Sequence, residues 1–498
     1  MPRLQARNIE LVFDLDNLVD RIWTARPKHT FAPIESYPVD LAGATRVEKL
    51  ATLREALPSS EHCFVLSALS PIAHILNLRS DGDIAYTPVC YAYLIVNPTN
   101  YELFIERERL TKDLVADLER DGGKLAPLDD VFSAIKGRTK VCCGRETSWA
   151  LTTAVDASEL TVMPINPALA QQAVKNPIEI EGLRCAYRRD AVAWARWAAV
   201  LEKSISKRKL EINEYDAAAM LTQERSKQDL FAGLAYENIS ATNENAAIVH
   251  YATPPVGSRV IDRDTPYLND SGAQYRDGTI DTTRTVHFGS PTEEQKHAFT
   301  RVLQGHIAID SLVFPKGTNG YQIDAMARRA LWSDCLNYAH GTGHGVGHYL
   351  GVHEGLHGLG TRPVLAEVPL EVGHVTSNEP GFYKEGEFGI RTESMLVVQE
   401  LKKGWLKFER LTLVRRLPCG WCIDLADAPV QVPIQPKLVD FALLNMGEIR
   451  WLRSHNLRCY QVLKPLLKGH SDAINWLNAQ RVPAWRLVQR VFRALMGR

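Results

Sequence analysis

At 498 residues the chain is too long for one hydrophobic core, and roughly two to four domains are expected. Its 45% hydrophobic and 23% charged residues are those of an ordinary globular protein, and Lys plus Arg equals Asp plus Glu at 58 each, so no global field exists to gather nucleic acid or an anionic membrane. The N-terminal MPRLQARNIELVFDLDN lacks the apolar core of a signal peptide, and no apolar run reaches the roughly 18 residues that span a bilayer. The expected setting is the cytoplasm, and the expected partner is a small molecule or peptide. Nine scattered cysteines suit reduced, partly buried thiols better than a disulfide framework.

Residues 1–26 end in the short amphipathic piece LDNLVDRIW. Over the next 150 residues helix and strand alternate: RVEKLATLREAL reads as helix, CFVLSAL and VCYAYLIV as strands, and LTKDLVADLERDG as helix closed by glycine. This predicts an α/β domain over 27–175, with no phosphate-binding loop or clustered ligands of its own. The Asn-Pro pair at 176 and 177 marks its end.

Next comes a long predicted helix, IEIEGLRCAYRRDAVAWARWAAVLEKSISK, with Leu183, Tyr187, Ala191, Trp194, Ala198 and Leu201 on one face. NISATNENAAIVHY then leads through an apolar strand to His250. In YLNDSGAQYRDGTIDTTRTVHFG, Asp277-Gly278 favours a hairpin turn, and a hairpin centred between Tyr275 and Arg276 would set Asp270 opposite Asp281. Thr292 and Gln295 have capping-box spacing at the head of a helix, and IDAMARRALWSDCL predicts another.

That helix runs into HGTGHGVGHYLGVHEG, residues 340–355, where histidines and a glutamate sit among glycines. Glycine is kept where backbone turns sharply or approaches something closely, and histidine is the commonest metal ligand and acid/base group near neutrality. A surface loop with solvated histidines is the bland alternative. In SNEPGFYKEGEFGIRTESMLVV, Glu379 and Glu393 are centred on Gly386, so a second hairpin would give both one face. From Leu443 the chain reads as helix, with Ile449, Leu452, Leu463 and Leu467 as buried positions.

Two carboxylate-bearing hairpins and one histidine segment form an oxygen-rich donor set, which suits a pair of hard or borderline divalent ions, Mn²⁺ above all, better than a thiolate zinc site. Four carboxylates in one site would repel each other, and two dications balance them.

These motifs, namely IVHY, DSGAQY with DGTIDTTRTVHFG, HGTGHGVG with VHEG, and NEPGFY with GIRTES, resemble those of the cytosolic aminopeptidase P (Xaa-Pro aminopeptidase) branch of the pita-bread metallopeptidases. The resemblance implies an α/β (α+β) fold: a creatinase-like N-terminal α/β domain, a pita-bread catalytic domain over 176–440 and a C-terminal helical extension over 441–498. It also implies metal ligands Asp270, Asp281, His344, Glu379 and Glu393, with Glu379 as general base. His250, His340, His353 and Arg391 would bind substrate and handle protons. The implied reaction removes an N-terminal residue from peptides with proline in second position. The C-terminal helices imply a homodimer. A prolidase acting on Xaa-Pro dipeptides and an inactive pita-bread binding protein are the competing readings.

Four features depart from the family pattern. Ile280, Thr392 and Phe382 replace its usual Thr, aliphatic residue and Tyr beside ligands, which implies an altered rate before lost metal. His348 and His374 match no functional position. Residues 1–26 read as the remnant of a first N-terminal domain, implying a truncated start. Residues 414–431, with the Cys419–Cys422 pair, interrupt a strand-to-PIQ connection and read as a retained intron, since eighteen codons keep frame, Val codons begin with GT and one Gln codon ends in AG. A zinc or redox role for that pair lacks the further ligands or thioredoxin-like setting it would need.

Overall fold

The computed structural model describes residues 4, 6–10, 18–26, 32–206, 211–410 and 432–484. The 414–431 insert, its cysteine pair and the basic tail from Trp485 onward lie outside them. Leu18–Ile22 is a short helix with no buried residue.

The first domain is built on a six-stranded mixed sheet in the order Gly123–Ala126, Tyr101–Phe104, Tyr93–Val96, Cys63–Leu66, Val141–Gly144, Leu160–Met163. Alternation along one strand explains the three layers: Phe64 and Leu66 pack with Leu50, Leu53, Ile72 and Ile75 on one face, while Cys63 and Val65 pack with Val131, Ile135 and Leu151 on the other. Helix Arg46–Glu55 opens with a Thr45/Glu48 capping box. Lys112–Arg120 closes before Gly122, which sits at φ +90°.

Helix Pro177–Ser206 carries the junction and the next core. The six apolar residues expected on its face are all buried, and Trp194 meets Trp197 and Trp476 with ring centroids 5.0 and 5.6 Å apart. Aromatic pairs of this kind add about 0.5–1.5 kcal/mol each beyond the area they bury. Trp476 lies on the C-terminal helix Ser471–Ala479, which together with Met446–Leu466 packs on the chain's own catalytic region.

The first and second domains meet at a buried polar seam. His74 Nε2 and His348 Nδ1 lie 3.7 and 4.0 Å from the same oxygen of Glu179, and the Tyr37 hydroxyl lies 3.5 Å from His348 Nδ1. Arg79 donates to the carbonyls of His348 and Tyr349, and Lys49 donates to Asn77 and the His74 carbonyl. His348 thus belongs to domain packing, and His374 stacks on His357 with centroids 4.0 Å apart.

Two sheets carry the carboxylates. One has the order Ile239–Thr242, Tyr267–Ser271, Thr282–Val286; the other, six-stranded and antiparallel, has Val375–Asn378 beside Ser394–Lys402 and Gly343–Gly345. The first hairpin is centred one residue later than its sequence suggested. Tyr275 pairs with Gly278, so Arg276 and Asp277 form the turn. Asp270 consequently pairs with Thr283, and Asp281 is its diagonal neighbour on the same face. His250 follows a 3₁₀ turn at Asn243–Ala247 rather than ending a strand.

Candidate metal centre

All nine predicted site residues, His250, Asp270, Asp281, His340, His344, His353, Glu379, Arg391 and Glu393, line one cavity of about 780 Å³. Among the described residues, the ligand atoms of Asp281, His344 and Glu393 lie within 4.8 Å of one another. His344 Nε2 is 3.3 Å from both Asp281 Oδ2 and Glu379 Oε1.

Each side chain is fixed by its surroundings. Asp281 is held through its backbone: its N–H donates to the Tyr187 hydroxyl at 2.9 Å, and that hydroxyl donates to its carbonyl at 3.1 Å. His344 Nδ1 donates to the Gly345 carbonyl at 2.9 Å, which turns Nε2 toward the carboxylates. Ser377 Oγ accepts from the His344 N–H and donates to Glu379 Oε1 at 3.0 Å. Thr283 Oγ1 donates to Glu393 Oε2 at 2.8 Å. The glycines of the segment are explained by close approach: a Cβ on Gly343 would come within 2.0 Å of the Ser377 carbonyl.

A second line of groups runs along the cavity wall. Arg391 pairs with Asp270 and donates to the Tyr383 hydroxyl at 2.7 Å, and that hydroxyl lies 2.8 Å from His340 Nε2. His340 Nδ1 donates to the Gly341 carbonyl, so Nε2 is the acceptor. Burial, with Arg391 close by, pushes His340 down to about 4, and it is neutral near pH 7. Burial also lowers His353, whose ring stands edge-on to His344 at 4.2 Å.

Charge bookkeeping shows that these residues fit dications. Burial, then the charge of Asp281, drives the Glu393 carboxyl well above the usual carboxylate range, and burial pushes Glu379 up to about 7. Glu393 is 1% exposed, yet among the described residues its Oε1 has no hydrogen-bond partner. The Tyr236 hydroxyl lies 2.5 Å from an oxygen of Asp270 and 2.5 Å from one of Asp281, but it has one proton to give. A positive charge among these carboxylates relieves both the orphan oxygen and the crowded pair. Burial and the two carboxylates hold the Tyr236 phenol far above its ordinary value, so it stays protonated.

Sequence reasoning missed Tyr236, Tyr383, Ser377 and Tyr187. Thr283 carried a readable signal, because it lies two residues after Asp281 and therefore on the same face of the strand. Tyr236 carried none, since it lies in the connection between the strands Phe231–Leu234 and Ile239–Thr242 and reaches the site only through tertiary packing.

Three family profiles cover most of the chain: Creatinase/Prolidase N-terminal domain over residues 25–179, metallopeptidase family M24 over 181–400, and the C-terminal region of peptidase M24 over 430–483. A probable Xaa-Pro aminopeptidase P of Laccaria bicolor is 41% identical over 97% of this chain and 74% of its own length, and one of Aspergillus fumigatus is 39% identical over 96% and 74%. The crystal structure of X-prolyl aminopeptidase from Caenorhabditis elegans, described as a cytosolic enzyme with a di-nuclear active site, superposes with a TM-score of 0.87 at 32% identity, covering 97% of this chain and 78% of that one. An Xaa-Pro dipeptidase from Bacillus anthracis, at 20% identity and a TM-score of 0.56 over 74% of this chain and 97% of that one, shares the fold. The creatinase-like domain, pita-bread catalytic domain and helical C-terminal region are thus all present, and the chain belongs to the Xaa-Pro aminopeptidase P branch of metallopeptidase family M24.

Proposed function

We propose that this chain is a dinuclear metal-dependent exopeptidase that hydrolyses the bond between an N-terminal residue and a penultimate proline. The observation that carries the reading is the convergence of Asp281, His344 and Glu393 within 4.8 Å, beside Glu379 and Asp270, in one cavity. Relatives that had become binding modules would have lost some of these donors, whereas all five ligand positions here carry one.

In this reading Asp270, Asp281, His344, Glu379 and Glu393 would hold two divalent ions. Bound ions of this kind supply Lewis acidity and a water acidic enough to ionise near neutral pH. Glu379 takes the proton of the attacking water, its carboxylate aimed by Ser377 Oγ at 3.0 Å. His353, whose affinity for a proton burial lowers, or His250 donates to the oxygen on which charge develops. His340, Tyr383 and Arg391 form a connected wall that orients the substrate. A bond to proline is a tertiary amide without N–H, so strand-like pairing cannot recognise it and the shape of the cavity must.

We further infer Mn²⁺ as the resident ion from the oxygen-rich donor set, a cytoplasmic setting, and a homodimer formed through the C-terminal helices, where Leu466 is 48% exposed. No helix among the described residues is long and apolar enough to cross a membrane. The domain boundaries adopted are 27–175, 176–440 and 441–498.

The test compares an Xaa-Pro-Xaa tripeptide with an Xaa-Pro dipeptide, using purified chain with and without Mn²⁺. Release of the first residue from the tripeptide, abolished by a chelator, is expected. Turnover of the dipeptide alone would make the protein a prolidase, and turnover that survives with no bound metal would overturn the mechanism. Light scattering that shows a monomer at micromolar concentration would overturn the dimer.

A further inference from the structure

His353 has a role but no holder. Among the described residues no hydrogen bond fixes its ring, and its contact is the edge-on one with His344. Where the imidazole stands is therefore set by the backbone at 353 and 354.

Glu354, the next residue, is held firmly. Its side chain is 4% exposed, and its two oxygens are taken by Lys175 Nζ and Gln172 Nε2. Both partners come from the end of the N-terminal domain, Gln172 from helix Pro167–Ala173 and Lys175 from the connection after it. Lys175 is 3% exposed and donates its backbone N–H to the Gly373 carbonyl at 3.0 Å, and Val174 bridges His374. Lys175 is thus itself fixed to the catalytic domain.

The glycines of the histidine segment record the same fit. A Cβ on Gly347 would lie 2.9 Å from Glu354 Oε2, and one on Gly345 would lie 2.1 Å from the Glu354 carbonyl. Glu354 also begins the strand Glu354–Leu359, where it pairs with Gly345 at a bulge next to His344. Glu354 is therefore the chain neighbour of His353 and, through its backbone, the strand partner of Gly345 next to His344.

We propose that Lys175 and Gln172 are positioning residues for His353, acting across the domain junction through Glu354. The N-terminal domain then contributes to turnover and not only to substrate access. An ion pair buried merely for stability could be replaced by uncharged groups with little loss of rate; a positioning pair could not. The proposal rests on the aminopeptidase reading.

The test uses full-length, Mn²⁺-loaded protein and the variants Glu354→Gln, Lys175→Met and the double variant. Glu354→Gln keeps size and an acceptor for Gln172, and the double variant leaves no unpaired charge if Lys175→Met alone fails to fold. The expected result for Glu354→Gln and for the double variant is a fall in kcat of about tenfold to a hundredfold, as for other residues that orient site ligands, with KM for an Xaa-Pro-Xaa tripeptide and bound Mn²⁺ unchanged. Folded variants with wild-type kcat, or a loss confined to KM or to metal content, would overturn the positioning role while leaving the activity standing. A wild-type chain that leaves the tripeptide intact would overturn the activity and this proposal with it.

Discussion

Glu379 stands opposite Glu393 between two antiparallel ladders that keep one count, Val375↔Val397 to Asn378↔Ser394 on one side and Gly381↔Arg391 to Lys384↔Phe388 on the other, around the turn at Gly386. Two carboxylates thus face each other, Glu393 buried and Glu379 partly so, and the charge of Glu379 adds to what raises Glu393. In the metal-free chain this is a strained charge arrangement, because burial and Asp281 already force Glu393 toward its protonated form. Glu393→Gln should therefore leave the metal-free protein at least as heat-stable as wild type. Added Mn²⁺ should stabilise only the wild type, by about 2.7 kcal/mol at a hundredfold excess over Kd, and turnover of the variant should be lost. Thermal melts with and without Mn²⁺ decide this; a variant that Mn²⁺ stabilises equally would remove Glu393 from the ligand set.

Tyr236→Phe removes the hydroxyl shared by Asp270 and Asp281 and little else, since the ring is retained. We expect a folded protein whose Mn²⁺ affinity or kcat falls by about 10–100-fold. Metal titration followed by activity measurement checks it, and wild-type values for both would show the hydroxyl to be dispensable.

Metal loading should release protons. Burial lowers the pKa of His344, but the hydrogen bond to Asp281 and the charge of Glu379 outweigh it and raise the imidazole to about 9. Below that pH the metal-free imidazole is protonated and must lose its proton before Nε2 can bind an ion. Mn²⁺ affinity should then climb as pH rises toward 9 and flatten above it. Calorimetry at pH 7 in two buffers of different protonation enthalpy measures the release directly, and identical heats would refute it.

The seam between the first two domains should weaken in acid. Burial, with Lys49 and Arg79 nearby, pushes His74 and His348 down to about 4, although Glu179 pulls the other way. As pH falls from 6.5 to 4 the unfolded chain takes up these protons and the folded chain does not, so stability declines by up to about 3 kcal/mol per imidazole. Burial raises Glu179, but its contacts with the two histidines and Lys49 hold it at about 2, which adds a further loss between pH 4.5 and 2. His348→Gln should flatten the upper part of the curve, as read from denaturant midpoints at pH 7 and pH 4.5. A slope equal to wild type would assign the acid sensitivity elsewhere.

How readable each part of the site was depends on the distance over which it is specified. Glu379 and Glu393 follow from counting, because no bulge disturbs their register. Asp270 and Asp281 were harder: Asp277-Gly278 looks like the turn, yet the turn is Arg276-Asp277, and the error was harmless because a shift of two residues preserves the face. The strand also changes sheets at Gly272, where a Cβ would lie 2.0 Å from the Ile280 carbonyl. The histidines were visible through their glycines. Tyr236 and Lys175 were not, and Glu354 was visible only as the glutamate of that segment, since each reaches its partner through tertiary packing that no local pattern encodes. The same holds for His348 and His374, whose burial against distant segments gives them structural rather than chemical work.

The single count kept around Gly386 makes this half of the site a matter of parity. One extra residue in that turn would send Glu379 and Glu393 to opposite sides of the ribbon, whatever their identities. Two extra would keep the side but slide one carboxylate a full pleat away. The interval from 379 to 393 is therefore constrained in length more tightly than in composition: its tip can change chemistry freely, as the exposure of Glu385 and Glu387 to solvent indicates, but it cannot drift in count. Substitution and insertion should thus have opposite fates at the same few positions, the first tolerated and the second lethal to metal binding.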